Sequence, residues 1–141
     1  MEKGKNIIVE KSFNFALQIV DLYQKLQRQN EFVISRQILK SGTSIGANVE
    51  EAIGGHSKKD FIAKMIIAHK ECRETRYWLK LLEHSKLIQF DYSNYLKEIE
   101  SIFNILTAII NTAKKNLGIP SIVSFLLFTI PVSYLFLYKI T

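Results

Sequence analysis

The chain has 141 residues, 48% of them hydrophobic, with only two prolines and six glycines. This composition excludes a disordered chain and a turn-rich all-β protein, and the length fits one domain with a core of its own. Nineteen lysines and arginines oppose thirteen aspartates and glutamates, so the formal net charge is +6. A positive net charge favours binding to polyanions such as nucleic acids, but many small proteins are basic for solubility alone. Composition does not distinguish these two explanations.

The N-terminal residues 1–11 are predicted to be a loose leader, although Ile7, Ile8 and Val9 could instead pair with a strand or dock on the bundle. Residues 1–11 are charged and contain no apolar run of the length that a secretory signal needs, so we do not expect export. Cys72 is the single cysteine, which rules out an intramolecular disulfide and fits a reducing, cytoplasmic setting.

A first helix is predicted to begin at Ser12, a favourable N-cap residue, and to end near Asn30. Its main apolar stripe recurs every three or four residues, as a helix with one buried face requires. A second apolar edge runs beside the first and predicts contact with two neighbours; it comprises Phe13, Ala16, Val20 and Tyr23.

The second helix is expected from about Ser35 to Ile53, with Gly54 and Gly55 ending it. Its apolar stripe is interrupted at Ser41 and Gly42, where small side chains would let a neighbouring helix approach closely.

The third and fourth helices carry the longest apolar periodicities. Ser57 is predicted to cap the third helix, which continues to about Ser85. Its stripe is Phe61, Met65, Ala68, Cys72, Thr75, Leu79 and Leu82, and that of the fourth helix is Tyr92, Leu96, Ile99, Phe103, Leu106, Ile110, Ala113 and Leu117. With short loops between them, residues 12–118 are predicted to form an all-α, antiparallel up-down-up-down four-helix bundle.

Residues 119–141 form an apolar C-terminal tail with no charge before Lys139. Three interpretations stay open. The tail is a short, proline-interrupted membrane anchor, a segment that packs on the bundle or between subunits, or an extended appendage.

Catalysis is not expected, because the residues that it needs do not converge in the sequence. His69 and Cys72 are three residues apart on one helix, but no second pair of ligands would complete a tetrahedral zinc site. No glycine-rich phosphate loop joins a strand to a helix. We therefore predict no catalytic residue, no metal and no cofactor.

Nucleic-acid binding is better supported by the pattern of cations on the second and third helices. The candidate phosphate-binding residues are Arg36, Lys40, Lys70, Arg73, Arg76 and Lys80. Tyr77 and Trp78 are available for base stacking. The competing interpretations are that the cations form a solvated face paired with Glu71, Glu74 and Glu83, and that Trp78 belongs to the core or to a subunit contact.

Two runs of residues carry a family resemblance across residues 10–118. The runs Ser44-Ile45…Asn48-Val49…Glu51 and Glu71…Glu74…Tyr77-Trp78-Leu79 resemble the four-helix-bundle family of proteins encoded in intervening sequences of bacterial 23S ribosomal RNA genes, also labelled S23 ribosomal proteins. The tail beyond Gly118 departs from the family pattern.

That resemblance implies a bacterial, ring-shaped homopentamer. It also implies a relation to the accessory protein of diversity-generating retroelements, which binds nucleic acid and a reverse transcriptase. The motif residues Ser44, Asn48, Glu51, Glu71, Glu74 and Trp78 are expected to be structural. The expected function is thus a non-enzymatic, homo-oligomeric adaptor for RNA or DNA, and the alternative is a protein-interaction scaffold attached to a membrane through its tail.

Overall fold

The computed structural model describes residues 6–118, which form four α-helices and no strand. The helices are α1 (Ile7–Arg28), α2 (Ile34–Ile53), α3 (Lys58–Ser85) and α4 (Ser93–Asn116). Within these residues α1 and α3 each contact both α2 and α4, while the diagonal pairs have no Cα atoms within 8 Å of each other. The predicted all-α four-helix bundle is confirmed. Residues 1–5 of the expected leader and the whole tail, 119–141, lie outside the described residues.

Helix α1 begins five positions before the predicted start at Ser12, which was wrong. Ser12 is 1% exposed inside the helix and donates to the carbonyl oxygen of Val9 at 3.2 Å. The helix starts earlier because Ile8, which is seven residues before Phe15, extends the buried stripe by two turns. The free energy gained by burying Ile8 outweighs the preference of serine for an N-cap.

Helix α1 ends at Arg28, two residues before the predicted stop at Asn30. Asn30 has a left-handed φ of 61°, a conformation that asparagine adopts more readily than most residues. The Glu31 side chain then accepts hydrogen bonds from the first backbone N–H groups of the next helix, at 2.8 Å from Ile34 and 2.6 Å from Ser35. This cap fixes the start of α2 and was not predicted.

The predicted small-residue gap at Ser41 and Gly42 is a close helix contact. Both residues are buried, and a Cβ atom added at Gly42 would lie 2.9 Å from two side-chain carbons of Ile19 on α1. On the other side of α2, the Ser41 hydroxyl lies 2.8 Å from that of Thr75 on α3. Gly54 and Ser57 end α2 and cap α3 as predicted.

The core contains the central residues of all four predicted stripes, but the rotation of α3 and α4 differs slightly from the prediction. Ile62 is buried in place of Phe61, and Tyr95 and Ile102 are buried while Leu96 and Phe103 are half-buried at the edge. The apolar arcs on these helices are wider than one seam, so spacing alone did not identify their centre.

Of the predicted second apolar edge of α1, Ala16 and Tyr23 are half-buried, whereas Phe13 and Val20 are exposed. Helix α1 contacts two neighbours, α2 and α4, as predicted. Phe13 is 60% exposed, Leu17 55% and Val20 39%. These three residues are four and three positions apart and therefore form one stripe on the outside of α1. We call Phe13, Leu17 and Val20 the α1 apolar stripe.

Candidate nucleic-acid interface

The outer face of α3 carries three of the predicted cations and one aromatic ring. Lys70, Arg73, Tyr77 and Lys80 are all exposed, and their spacing of three, four and three residues places them along one side of the helix. Tyr77 is 58% exposed, so its ring is accessible. We call these four residues the α3 stripe. It spans about 15 Å from Lys70 to Lys80 at the helical rise of about 1.5 Å per residue.

Within residues 6–118, the cations of the α3 stripe form no ion pair with the glutamates interleaved with them. Among the described residues, Lys70, Arg73 and Lys80 form no ion pair. Glu74 accepts a hydrogen bond from the Trp78 indole N–H at 3.3 Å instead. The expectation of a face paired along α3 was therefore wrong for these positions, and their charge is available to an anionic partner.

Arg76, a predicted phosphate contact, is engaged within the bundle. Its guanidinium lies 2.8 Å from the Glu100 carboxylate of α4 and 4.5 Å from the centre of the Phe103 ring. Both contacts turn Arg76 toward α4 and away from the α3 stripe. An ion pair and a cation–π contact would have to break before Arg76 bound a phosphate.

His69 completes this contact between α3 and α4. Its ring stacks on Phe103 at 4.3 Å, and its Nε2 lies 3.0 Å from the Thr107 hydroxyl oxygen. Because that hydroxyl donates to the Phe103 carbonyl at 2.8 Å, Nε2 is the donor to Thr107. Burial, together with the charges of Arg73 and Arg76, lowers the pKa of His69. The ring is held by packing and a hydrogen bond, as expected for a structural histidine.

Arg36 and Lys40 form a pair of cations on α2. Both are exposed and stand one helical turn apart. Burial, and then the neighbouring Glu74, raise the pKa of Glu71, whereas Lys40 and Lys70 act on it in the opposite direction. Lys40 of α2 and Lys70 of the α3 stripe therefore both lie near the Glu71 carboxylate. Of the six predicted cations, Arg76 is engaged with α4, and the other five are exposed.

The residues of the family motif line the seam between α2 and α3. Ser44, Asn48 and Glu51 follow Ser41 at three, seven and ten residues, on the side of α2 that faces α3. Their polar atoms are used internally. Ser44 donates to the carbonyl of Lys40 at 2.7 Å, Asn48 donates to that of Ser44 at 2.8 Å, and Glu51 forms an ion pair with Lys64 of α3.

Trp78 is a half-buried residue beside the core rather than an exposed stacking platform. It packs against the hydrophobic core, and its ring meets that of Tyr77 edge-on at 5.0 Å. Tyr77 is therefore the accessible aromatic of the pair.

The sequence did not reveal the role of Phe103 in holding Arg76, because nothing in the local pattern links positions 27 residues apart.

The described residues contain no group of three or more histidine, cysteine, aspartate or glutamate side chains placed to hold a metal ion. Cys72 is fully buried, and this burial raises the pKa of its thiol to about 12. A thiol in this state is not a nucleophile near neutral pH.

Comparisons with known proteins agree with the resemblance noted from the motif residues. The profile of the family described as 23S rRNA-intervening sequence protein matches residues 4–108. A crystal structure of a protein of unknown function from the S23 ribosomal protein family of Bacteroides thetaiotaomicron is similar to this chain, with a TM-score of 0.72 and 46% sequence identity. The similarity covers 75% of this chain and 96% of the other. No curated protein matches. A family profile that spans most of the bundle and a solved relative of nearly the same fold lead to one conclusion: the chain belongs to the family of 23S rRNA-intervening sequence proteins.

Proposed function

We propose that this protein is a non-enzymatic, homo-oligomeric adaptor that binds nucleic acid through the α3 stripe. The observation that carries the proposal is the placement of three cations, without ion pairs among the described residues, beside the exposed ring of Tyr77 on one helix. Because α3 packs against both α2 and α4, it holds these four side chains at fixed positions along one surface. Arg36 and Lys40 on α2 are secondary contacts in this proposal, and Arg76, which pairs with Glu100, is not a contact.

Electrostatics would supply most of the affinity. Each lysine or arginine that neutralises a phosphate releases condensed counterions, so the logarithm of the binding constant falls with the logarithm of the salt concentration. The exposed tyrosine adds stacking, which tolerates any base but requires that base to be unpaired. Such a stripe would prefer single-stranded or loop regions of RNA or DNA to regular duplex.

The test compares a variant that lacks the three charges of the α3 stripe with a variant that lacks three charges elsewhere on the protein. The triple variant Lys70→Gln, Arg73→Gln, Lys80→Gln should bind a hairpin RNA with a looped single strand less tightly. The slope of the logarithm of its binding constant against the logarithm of salt concentration, the salt slope, should be smaller by roughly two to three. Each phosphate contact contributes about 0.7 to 0.9 to this slope. Mobility shifts at several salt concentrations measure both quantities.

The matched control removes three exposed lysines outside the stripe, Lys58, Lys59 and Lys97, again by change to glutamine. It should keep most of the affinity and the salt slope. Equal losses in the two triple variants would show that net charge alone binds the RNA. Absence of binding by the unaltered protein at low salt, or binding that does not weaken as salt rises, would contradict the proposal outright.

Tyr77→Ala separates stacking from charge. It should weaken binding to single strands by about 1 to 3 kcal/mol and leave binding to a regular duplex of equal length nearly unchanged. Tyr77→Phe, which keeps the aromatic face, should restore the affinity. Equal effects of Tyr77→Ala on both nucleic acids would remove the base-stacking role.

Assembly into a homo-oligomer, a pentamer by family resemblance, is the second part of the proposal. Its support is the α1 apolar stripe, in which Phe13 and Leu17 are more than half exposed. Native mass spectrometry should show the oligomer, and Leu17→Asp should shift it toward smaller species. A monomeric unaltered protein would remove this part and leave the nucleic-acid test standing.

The membrane-attached scaffold was the alternative function. None of the helices within residues 6–118 is long and apolar enough to cross a bilayer. The tail on which that alternative depended lies outside the described residues, and the alternative is not favoured.

A further inference from the structure

One glutamate lies among the cations of the α3 stripe without pairing with them. Glu74 directly follows Arg73, is half-buried, and comes three residues before Tyr77. Among the described residues its carboxylate forms no ion pair, and only its Oε1 has a hydrogen-bond partner, the Trp78 indole N–H at 3.3 Å. A negative charge at this position opposes the binding of phosphates, so phosphate binding does not account for Glu74.

Trp78 holds this carboxylate beside the accessible ring of Tyr77. The indole packs against the hydrophobic core, and its ring meets that of Tyr77 edge-on at 5.0 Å. One indole therefore contacts both the exposed ring and the Glu74 carboxylate. Residues three apart on a helix also have Cβ atoms only about 5 to 6 Å apart, which places Glu74 next to Tyr77 on the surface of α3.

A carboxylate beside a stacking surface can select a base by the hydrogen-bond donors on the edge of that base. A glutamate carboxylate only accepts hydrogen bonds. Guanine offers it two adjacent donors on its Watson–Crick edge, N1–H and the N2 amino group. Adenine and cytosine each offer one amino group next to an acceptor nitrogen, and uracil offers one N–H between two carbonyl oxygens, which repel a carboxylate. Unpaired bases in RNA are recognised on this edge.

We propose that Glu74 is a specificity-determining residue of the α3 stripe and that the stripe prefers single strands that contain guanine. The inference rests on the proposed function, in which Tyr77 stacks on an unpaired base; that base is guanine, and its N1–H and N2 amino group donate to Glu74. A carboxylate has about four acceptor sites, of which Trp78 uses one. Trp78 acts only through Glu74 and is a positioning residue.

The expected preference is modest because water reaches the half-buried carboxylate and competes for it. A bidentate contact to a base edge normally discriminates at least about fivefold, and we expect a preference of about five- to tenfold for guanine over adenine. Lys70 and Arg73 bind phosphates whatever the base, so they add affinity without changing this ratio.

Fluorescence anisotropy with labelled oligouridines tests the inference in the full chain. One probe carries isolated guanines at regular spacing, which avoids quadruplex formation, and the others carry adenine, inosine or 7-deazaguanine at the same positions. The unaltered protein should bind the guanine and 7-deazaguanine probes about five- to tenfold more tightly than the adenine probe, since 7-deazaguanine keeps the Watson–Crick edge. Inosine, which lacks the N2 amino group, should give an intermediate affinity.

Glu74→Gln should abolish the guanine preference and raise the affinity for the adenine probe. The amide oxygen of glutamine still accepts from Trp78, but its amide group donates where guanine needs an acceptor. Loss of a negative charge among the cations then favours the phosphates of every probe. Glu71→Gln is the matched control, since Glu71 is a half-buried glutamate of α3 that lies near Lys40 and Lys70. It should raise the affinity for all probes and keep the guanine preference.

Each other result overturns the inference. Equal affinities of the unaltered protein for the guanine and adenine probes would remove the guanine preference and leave nucleic-acid binding standing, whereas binding to neither probe would remove both. A guanine preference that persists in Glu74→Gln would have its origin elsewhere. An equal loss of affinity for all probes in Glu74→Gln would mean that Glu74 only supports Trp78.

Discussion

The hydroxyl oxygens of Ser41 on α2 and Thr75 on α3 lie 2.8 Å apart in the centre of the bundle, where both residues are fully buried. Ser41 also lies 2.9 Å from the carbonyl of Gln37, and Thr75 lies 2.9 Å from that of Glu71. The two hydroxyl groups have two protons between them and make three contacts. One of these contacts, between Ser41 and Thr75, joins α2 to α3. This contact fixes the register of α2 against α3 at the start of the seam that the family motif lines.

We expect Thr75→Val to destabilise the bundle by about 1 kcal/mol, since it removes the hydrogen bond between helices while nearly conserving volume. Urea unfolding followed by circular dichroism measures the change. The control is Thr43→Val, because Thr43 donates only to carbonyls of its own helix, at 2.7 Å to Leu39. If Thr75→Val costs no more than the control, the contact between helices contributes nothing to stability.

The contact between Gly42 and Ile19 predicts opposite outcomes for two glycine substitutions on α2. Gly42→Ala should destabilise by about 1 to 3 kcal/mol, because its Cβ would lie 2.9 Å from carbons of the buried Ile19. Gly46→Ala meets its nearest neighbour at 3.4 Å, so the gain in helix propensity should make it neutral or stabilising by up to about 1 kcal/mol. Thermal unfolding compares the two variants, and a stabilised Gly42→Ala would show that α1 and α2 can separate without cost.

The Glu31 cap predicts a pH-dependent contribution to stability. Burial alone would raise the pKa of Glu31, but hydrogen bonds from the backbone of Ile34 and Ser35 outweigh it, and the pKa is lowered. A carboxyl whose pKa is lowered on folding stabilises the fold at pH values above its pKa in the unfolded chain, about 4.3. This stabilisation is lost as the pH falls through its pKa in the folded protein.

Accordingly, Glu31→Gln should cost about 1 kcal/mol at pH 7, and the difference from the unaltered protein should shrink below about pH 4. Urea unfolding across this pH range measures it. Glu50→Gln is the control, since Glu50 is an exposed carboxylate on α2, the helix that Glu31 caps. A difference between Glu31→Gln and the unaltered protein that grew on acidification would have the wrong sign for a cap.

Cys72 should report on opening of the bundle. Its complete burial and a pKa raised to about 12 leave almost no accessible thiolate at pH 8. Modification by a thiol reagent should therefore be slow in buffer and accelerate through the unfolding transition. A second cysteine introduced by Ala47→Cys, at an exposed position, should react at once. Equally fast reaction of Cys72 in buffer would mean that the centre of the bundle is open to water.

The sequence alone determined the four helices, most of their ends and their apolar seams. A helical repeat is set by hydrogen bonds within one segment, so the spacing of residues such as Ile45, Val49, Cys72 and Leu79 is a local signal. The stops at Asn30 and Gly54 and the cap at Ser57 are local for the same reason.

Tertiary structure alone decided the start of α1 and which cations stay free. Ile8 extends α1 past Ser12 only because the other helices provide a core to bury it. Arg73 and Arg76 look equivalent in the sequence, yet Glu100 and Phe103 engage only Arg76. Ion pairs and burial depend on the rotation of each helix about its axis and on residues distant in the chain, and local periodicity specifies neither.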